Sequence, residues 1–294
     1  MRSTPLPFSL ATYNILAQAY ITPGRYPRTP ATVLASPWRR PALARHVATL
    51  ATDVVCLQEV EDETFAAVQQ VLEPGGYIGH FAKKGGGKPD GCATFIRQSA
   101  LTLRRVYQLR YTDGLGTEPH SGHIALVMLL EYRGRALGIV NTHLQWDPPD
   151  RPRDQQRGYR QISQLLQERG HIDPTCEAWI ICGDLNVTSE SHVVAGLRAA
   201  GFDYAHRTSG VMYTCNANAR AKMIDYVFHT ETLRAQPVAV PVIDDQTPLP
   251  SFEQPSDHLA LMAHFAWDVE GPARPYTDTR PDTSHYGVGE GHPV

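Results

Sequence analysis

Ala178-Trp179-Ile180-Ile181-Cys182-Gly183-Asp184-Leu185-Asn186 is a short apolar run that ends in a carboxylate and a carboxamide two residues apart. Its length and its isoleucines predict a buried β-strand. Residues i and i+2 of a strand project to the same side, so Asp184 and Asn186 are expected to enter one space at the strand's carboxyl end. Desolvating two such groups costs free energy unless they have partners or a ligand.

Other apolar runs end in the same kinds of residue. Phe8 to Tyr13 leads to Asn14, Asp53 to Leu57 to Gln58-Glu59, and Arg135 onward to Asn141 and His143. Ile224 to Phe228 carries Asp225, and Asp257-His258 stands before the run Leu259 to Phe265. Further strands are expected at Ala93 to Arg97 and His123 to Tyr132, the latter paired with Arg135 to Asn141 across the turn Arg133-Gly134. Helices are expected between them. Ser36-Pro37 offers an N-cap and a first-turn proline before Leu43, Val47 and Leu50, and Phe65, Val68 and Leu72 lead to Pro74-Gly75-Gly76. Tyr159, Ile162 and Leu166 mark a third helix, and Val194 and Leu197 a short fourth. If two sheets pack face to face, their strand ends meet along one edge and the polar set converges on a single cleft. Carboxylates with amide and water oxygens suit a hard cation such as Mg²⁺ or Mn²⁺.

Composition limits the alternatives. At 294 residues with 42% hydrophobic content the chain can bury a full core, and a net charge of -3 excludes a globally basic nucleic-acid coat. Only Lys83, Lys84, Lys88 and Lys222 are lysine. Lys83 to Asp90, with three consecutive glycines, reads as a solvated surface turn. Arg153, Arg157 and Arg160 at i, i+4 and i+7 read equally as a solvated helix face or as phosphate contacts, and Arg220 with Lys222 precedes the Asp225 strand. The five cysteines form no metal or disulfide pattern, which argues for a reducing compartment. The amino-terminal residues lack signal-peptide character and no window approaches a membrane span, so a cytoplasmic protein is expected. No shift in composition divides the chain. One catalytic domain is expected over 1–268, followed by a flexible tail over 269–294.

Tyr13-Asn14-Ile15-Leu16, Cys56-Leu57-Gln58-Glu59-Val60, Asp90-Gly91-Cys92-Ala93, Asn141-Thr142-His143-Leu144, Gly183-Asp184-Leu185-Asn186, Ile224-Asp225-Tyr226 and Pro255-Ser256-Asp257-His258 follow one another in this order. In that series the chain resembles the endonuclease/exonuclease/phosphatase superfamily. Ala17-Gln18-Ala19-Tyr20, Trp38-Arg39-Arg40 and Trp146-Asp147-Pro148 resemble the branch of Ccr-type deadenylases, nocturnin, Angel proteins and 2′-phosphodiesterases. The resemblance implies a four-layer α/β/β/α sandwich of two mixed β-sheets flanked by helices. It also implies a phosphoesterase site using one or two Mg²⁺ ions, with Mn²⁺ as a substitute. Glu59 would be the main metal ligand, helped by Asn14 and Asp257; Asp184 would deprotonate water. Asn186, His143 and His258 would orient the phosphate and donate to it, and Asp225 would fix His258. Trp146, Pro148, Arg157 and Arg220 would contact substrate.

The expected substrate is RNA, an oligonucleotide or a nucleotide, with no membrane and no protein partner in evidence. Deadenylases of the branch stack an aromatic residue on adenine just before the Ile-Asp-Tyr strand. Here Tyr213-Thr214-Cys215-Asn216-Ala217-Asn218-Ala219-Arg220 stands there, without phenylalanine. A 2′,3′-cyclic phosphate, a small nucleotide, DNA or a sphingomyelin-like lipid would suit the same chemistry, and a silent nucleotide-binding module is the alternative of a different class.

Overall fold

A computed structural model describes residues 7–268; the expected tail, 269–294, lies outside the described residues. In chain order the elements are β1 Phe8–Asn14, α1 Ala31–Leu34, α2 Ser36–Thr49, β2 Val54–Glu61, α3 Asp62–Leu72, β3 Tyr77–Lys83, β4 Asp90–Arg97 and β5 Thr102–Arg110. There follow β6 Ile124–Tyr132, β7 Arg135–Thr142, α4 Arg157–Ile172, β8 Ala178–Asp184, α5 His192–Ala199 and β9 Phe202–Tyr204. The last are β10 Cys215–Ala217, β11 Arg220–Lys222, β12 Asp225–Thr230, β13 Leu233–Pro237 and β14 Leu261–Trp267.

Two six-stranded sheets result, ordered β13-β14-β1-β2-β4-β3 and β5-β6-β7-β8-β12-β9, with β10-β11 as a separate hairpin. Both are mixed: β1 runs parallel to β2 and β7 parallel to β8, while the other neighbours are antiparallel. Strand alternation builds the layers. In β8, Ala178, Ile180 and Cys182 face the inter-sheet core, together with Leu10, Cys56, Leu126, Ile139, Val227 and Phe265 from other strands. Trp179 and Ile181 face the other way and pack with Ile162, Leu165, Val194 and Leu197 of α4 and α5. Across the molecule Tyr13, Val55, Leu57 and Phe95 pack with Leu43, Val47, Val68 and Leu72 of α2 and α3. Each large aliphatic side chain so enclosed contributes about 1.5–3 kcal/mol relative to exposure. The architecture is the four-layer α/β/β/α sandwich.

Some local expectations are corrected. Ser36 is the first residue of α2 rather than its cap; Ala35 occupies the cap position, without a side-chain hydrogen bond. Arg153 lies in a short 3-10 turn, Arg153–Gln155, ahead of α4, so it shares no helix face with Arg157 and Arg160. Lys84 is not solvated but buried, for reasons given below.

Polar residues also join the two sheets beneath the cleft. Asn141 of β7 donates to Leu57 O and Ala93 O of the other sheet at 3.1 and 2.8 Å, and accepts from Gln58 Nε2 at 2.7 Å. These bonds hold the two layers in register, so the Asn141 amide is structural. Gly183 is needed where β8 passes β7: its φ is +140°, and a Cβ there would lie 1.8 Å from Thr142 O. Gly183→Ala should destabilise the protein by at least about 3 kcal/mol, the scale of severe overpacking. Denaturant unfolding at equilibrium measures it, and a change of under about 1 kcal/mol would contradict this account of the crossing.

Candidate active site

Strand parity delivers most of the site. On β8 the inner face runs 178, 180, 182 and then 184; on β7 it runs 137, 139, 141 and then 143; on β12 it holds 227 and 225. Asp184, His143 and Asp225 therefore end up between the sheets, each buried.

Glu59 does not follow from parity. In β2, Val54 and Cys56 face inward and Val55 and Leu57 outward, so residue 59 of a regular strand would point at the helices. A β-bulge intervenes. The register with β4 shifts between Gln58 and Val60, and Glu59 takes φ +57°. Val60 consequently joins the outer core, and the Glu59 carboxylate is turned into the cleft, a bulge's usual effect of re-aiming a side chain. There Oε1 accepts from Asn14 Nδ2 at 3.1 Å and Oε2 from Ala17 N at 2.9 Å.

Asn14 stands between two carboxylates. Its Oδ1 accepts from Leu16 N at 3.0 Å, which fixes the amide's orientation, and its Nδ2 donates to both Glu59 Oε1 and Asp184 Oδ2, the latter at 3.0 Å. Asp184 Oδ1 accepts from Asn186 N at 2.8 Å. Asn186 reaches the cleft through a left-handed turn, φ +55°, rather than through strand alternation, because β8 ends at Asp184. Its Nδ2 donates to Leu144 O at 2.9 Å and lies 2.9 Å from His143 Nε2.

His258 Nδ1 is 2.9 Å from Asp225 Oδ2, and its Nε2 is 3.8 Å from Asp184 Oδ2. Asp225 Oδ2 also accepts from Thr214 Oγ1 at 2.6 Å. The segment carrying Asp257 and His258 is pinned on both sides: Asn216 N donates to Asp257 O, Leu259 N to Thr214 O, and Ser256 Oγ to Asn14 O. Asp257 Oδ2 accepts from Tyr26 Oη at 2.9 Å.

The electrostatics follow from crowding carboxylates out of water. Burial first, and then the neighbouring Asp225 charge, raise Asp184 to about 7. Burial also raises Glu59, with Lys84 pulling it back and Asp257 adding to the rise. For His258 burial opposes the cation, but Asp225, Cys215 and Asp257 outweigh it and hold the imidazole well above its usual value. His143 goes the other way, lowered by burial and by Lys84, so it stays neutral.

A hard divalent cation fits this donor set. Asp184, Asp225 and His258 offer ligand atoms within 4.8 Å of one another, but Asp225 and His258 are already committed to each other. Glu59 with Asp257 is the carboxylate side, toward which Asn14, contrary to its expected part as a ligand, turns Nδ2 rather than Oδ1; the Glu59 carboxylate is one that burial destabilises in the absence of a cation. Because the folded carboxyls of Asp184 and Glu59 are raised, these two groups hold more protons in the folded state than in the unfolded one between about pH 4 and 7. Their contribution to the stability of cation-free protein therefore falls as pH rises through that window. Added Mg²⁺ should raise Tm little near pH 5, where protons compete, and more near pH 8. Thermal scans with and without Mg²⁺ at both pH values check this; an equal gain at both would contradict it.

The expected substrate contacts are dispersed. Trp146 is 52% exposed at the end of β7, beside the partly exposed Pro148, and Asp147 Oδ2 accepts from Gly158 N at 2.8 Å to tie this loop to α4. Arg157 pairs with Glu118 at 3.1 Å, Arg151 with Asp147 at 3.1 Å, and Arg160 donates to Asp113 O. These arginines are engaged with protein groups, while Arg220 and Lys222 are exposed on β11. Tyr213 packs with Ile243, Leu249 and Leu259, away from the role of a base platform.

Two groups escaped the sequence reading. Lys84 places Nζ 2.6 Å from Asp90 Oδ2 and 3.2 Å from His143 Nδ1. Alternation could have shown it, since Ala82 faces the inter-sheet core and Lys84 is two residues on. His123 stacks edge-on against His143 at 5.8 Å, and burial with Lys84 lowers it to about 2. In the sequence it marks only the start of the run His123 to Tyr132.

The model of the Endonuclease/Exonuclease/phosphatase family matches residues 11–258. The chain belongs to that family. Among its family relatives, the CCR4-Not complex 3'-5'-exoribonuclease subunit Ccr4 of Candida albicans is 27% identical, over 88% of this chain and 41% of that protein. Protein angel homolog 2 of Mus musculus is 27% identical over 76% of this chain and 42% of that protein. The chain thus spans about two-fifths of the length of these curated relatives. Of solved structures, ANGEL2, a 2',3'-cyclic phosphatase in complex with adenosine-2',3'-vanadate, superposes with a TM-score of 0.77 at 21% identity, covering 90% of this chain and 96% of that one. The human Nocturnin catalytic domain gives 0.70 at 25% identity, covering 89% and 94%. Both support the family's fold for this chain. Among the described residues no helix is long and apolar enough to cross a membrane.

Proposed function

We propose that this protein is a Mg²⁺-dependent phosphodiesterase that hydrolyses phosphoester bonds in RNA or short oligonucleotides. The observation that carries the reading is the position of Asp184: a buried carboxylate between Asn14, Asn186, His143 and the Asp225-held His258, with Glu59 turned toward it through Asn14. The Ccr4 relatives are exoribonuclease subunits, which supports RNA as substrate class.

Asp184 takes the proton of the attacking water; its ionised form is favoured by Asn14, Asn186 N and the His258 cation. His258, kept charged by Asp225, and His143 donate to phosphate oxygens as charge develops there, and Asn186 orients them. Glu59 with Asp257 would hold one or two Mg²⁺ or Mn²⁺ ions, with Asn14 orienting the Glu59 carboxylate, and when bound the ions would supply positive charge to the phosphoryl and leaving oxygens. Trp146 and Pro148, exposed and half-buried in the loop after β7, would contact a base, and Arg220, exposed on β11, a backbone phosphate, with Arg157 available once it leaves Glu118.

Release of a 2′,3′-cyclic phosphate or hydrolysis of a small nucleotide is the second reading. It is favoured by the packing of half-buried Tyr213, the aromatic residue just ahead of β10, against the Ile243 and Leu249 cluster. The five free thiols support a reducing, cytoplasmic location, and the catalytic domain is taken as 1–268 with 269–294 as a tail. Purified protein should cleave an end-labelled RNA oligonucleotide with Mg²⁺ and stop with EDTA. A product ladder supports the first reading, and removal of only a terminal cyclic phosphate supports the second. No cleavage of any phosphoester with Mg²⁺ or Mn²⁺ would overturn both.

A further inference from the structure

We infer that Lys84 is a positioning residue: it decides which nitrogen of His143 carries the proton, and so makes His143 a hydrogen-bond donor toward the cleft. The inference rests on the reading of His143 as a phosphate-facing group given above.

Lys84 is nearly water-free, with its side chain 2% exposed and that of Asp90 0% exposed. Asp90 Oδ2 accepts from Lys84 Nζ at 2.6 Å, and Asp90 Oδ1 accepts from Tyr20 Oη at 2.7 Å. The backbone supports the pair, since Lys84 N donates to Asp90 O at 2.9 Å and so continues the β3-β4 ladder past Lys83. An ammonium held on a carboxylate at this distance presents three donors and no acceptor. His143 Nδ1 lies 3.2 Å from it. That nitrogen must therefore present its lone pair, which puts the imidazole proton on Nε2.

On the cleft side Nε2 has two neighbours. Asn186 Nδ2 is 2.9 Å away and Asp184 Oδ2 3.7 Å, the second too long for a hydrogen bond. Asn186 cannot simply turn its oxygen toward Nε2, because its Nδ2 also donates to Leu144 O at 2.9 Å and reversal would oppose two oxygens. The Nε2–H thus faces a second donor and lacks a good acceptor until an oxygen of suitable charge enters. The opposite tautomer would relieve this contact: Nε2 would accept from Asn186 and could then donate nothing to a substrate. With Lys84 in place that tautomer sets Nδ1–H against an ammonium. Burial and the Lys84 charge both lower the His143 pKa, so the choice is between two neutral forms.

The test reads the tautomer directly. In full-length protein labelled with ¹⁵N-histidine, long-range proton–nitrogen spectra near pH 7 distinguish Nδ1–H from Nε2–H, and His143→Ala assigns the resonance. Wild type should show Nε2–H. Lys84→Met paired with Asp90→Asn removes both buried charges together, so no unpaired ion threatens the fold; in it His143 should switch to Nδ1–H. On an RNA substrate kcat should fall about tenfold to a hundredfold with KM within about twofold, as expected when a preorganised donor is lost. Nδ1–H in the wild type, or an unchanged tautomer in the double variant, would overturn the inference. A clean switch in a protein that hydrolyses no phosphoester would instead overturn the functional reading and leave the inference standing.

Discussion

Asp184→Asn should lower kcat at least about a hundredfold while leaving the protein as stable as the wild type or more so, because general-base loss and carboxylate burial act on different observables. The carboxylate accepts from Asn14 Nδ2 and Asn186 N, yet burial and Asp225 still raise it to about 7. Removing its charge removes a group that the fold tolerates at a cost, and the asparagine oxygen can keep one of those bonds. In wild-type protein the base must be ionised, so the rate should rise with pH along an acid limb at or below about 7. A bound cation stabilises the carboxylate and moves that limb lower. Initial rates across pH and equilibrium unfolding of both proteins measure these effects. An active Asp184→Asn enzyme would remove Asp184 from the role of base; a large stability loss would mean that its charge is structural.

His258→Ala should do two kinds of damage. The rate falls about a hundredfold or more with loss of a charged donor, and stability falls by about 3–5 kcal/mol, since Asp225 is left as a buried carboxylate without its cation. Both side chains are buried and 2.9 Å apart, and only Thr214 Oγ1 remains on the Asp225 oxygen. The second variant separates the effects. His258→Ala with Asp225→Asn should recover most of the stability, because no charge is stranded, and none of the activity. Recovery of activity would show that His258 serves only to neutralise Asp225. The pair's sign with pH is fixed by the raised His258 value: its contribution is complete below the ordinary histidine pKa, about 6.5, and is lost only as pH rises past the raised one.

The legibility of the fold divides along the sheets. The central strands β14, β1, β2 and β4 of one sheet, and β6, β7, β8 and β12 of the other, are all visible as apolar runs in the sequence. The edges β13, β3, β5 and β9 are not. Edge strands face solvent along one side and carry charge that blunts further pairing, as Thr102–Arg110 does with Arg104, Arg105 and Arg110. Their period is diluted, and nothing local separates them from loops.

Which residues share the inner face follows from local sequence alone. Alternation of two residues is a local property of a strand, and it carries Asp184, Asp225 and His143 into the inter-sheet space once their strands are central. How the polar groups there are aimed and paired depends instead on contacts made across the folded chain. Glu59 enters the cleft because a bulge against β4 reverses its parity, and Asn186 because a left-handed turn follows Asp184. Lys84 is buried because Asp90 and His143 meet it, and Tyr213 packs against Ile243, Leu249 and Leu259. Arg157 is held by Glu118 rather than left for substrate alone. These outcomes rest on partners far apart in the chain: Asn14 and Asp184 are 170 residues apart, and Glu59 meets Asn14 across 45. A strand's own period sets the side to which a group points, whereas its partner, charge and solvation are set by whatever the folded chain brings opposite it.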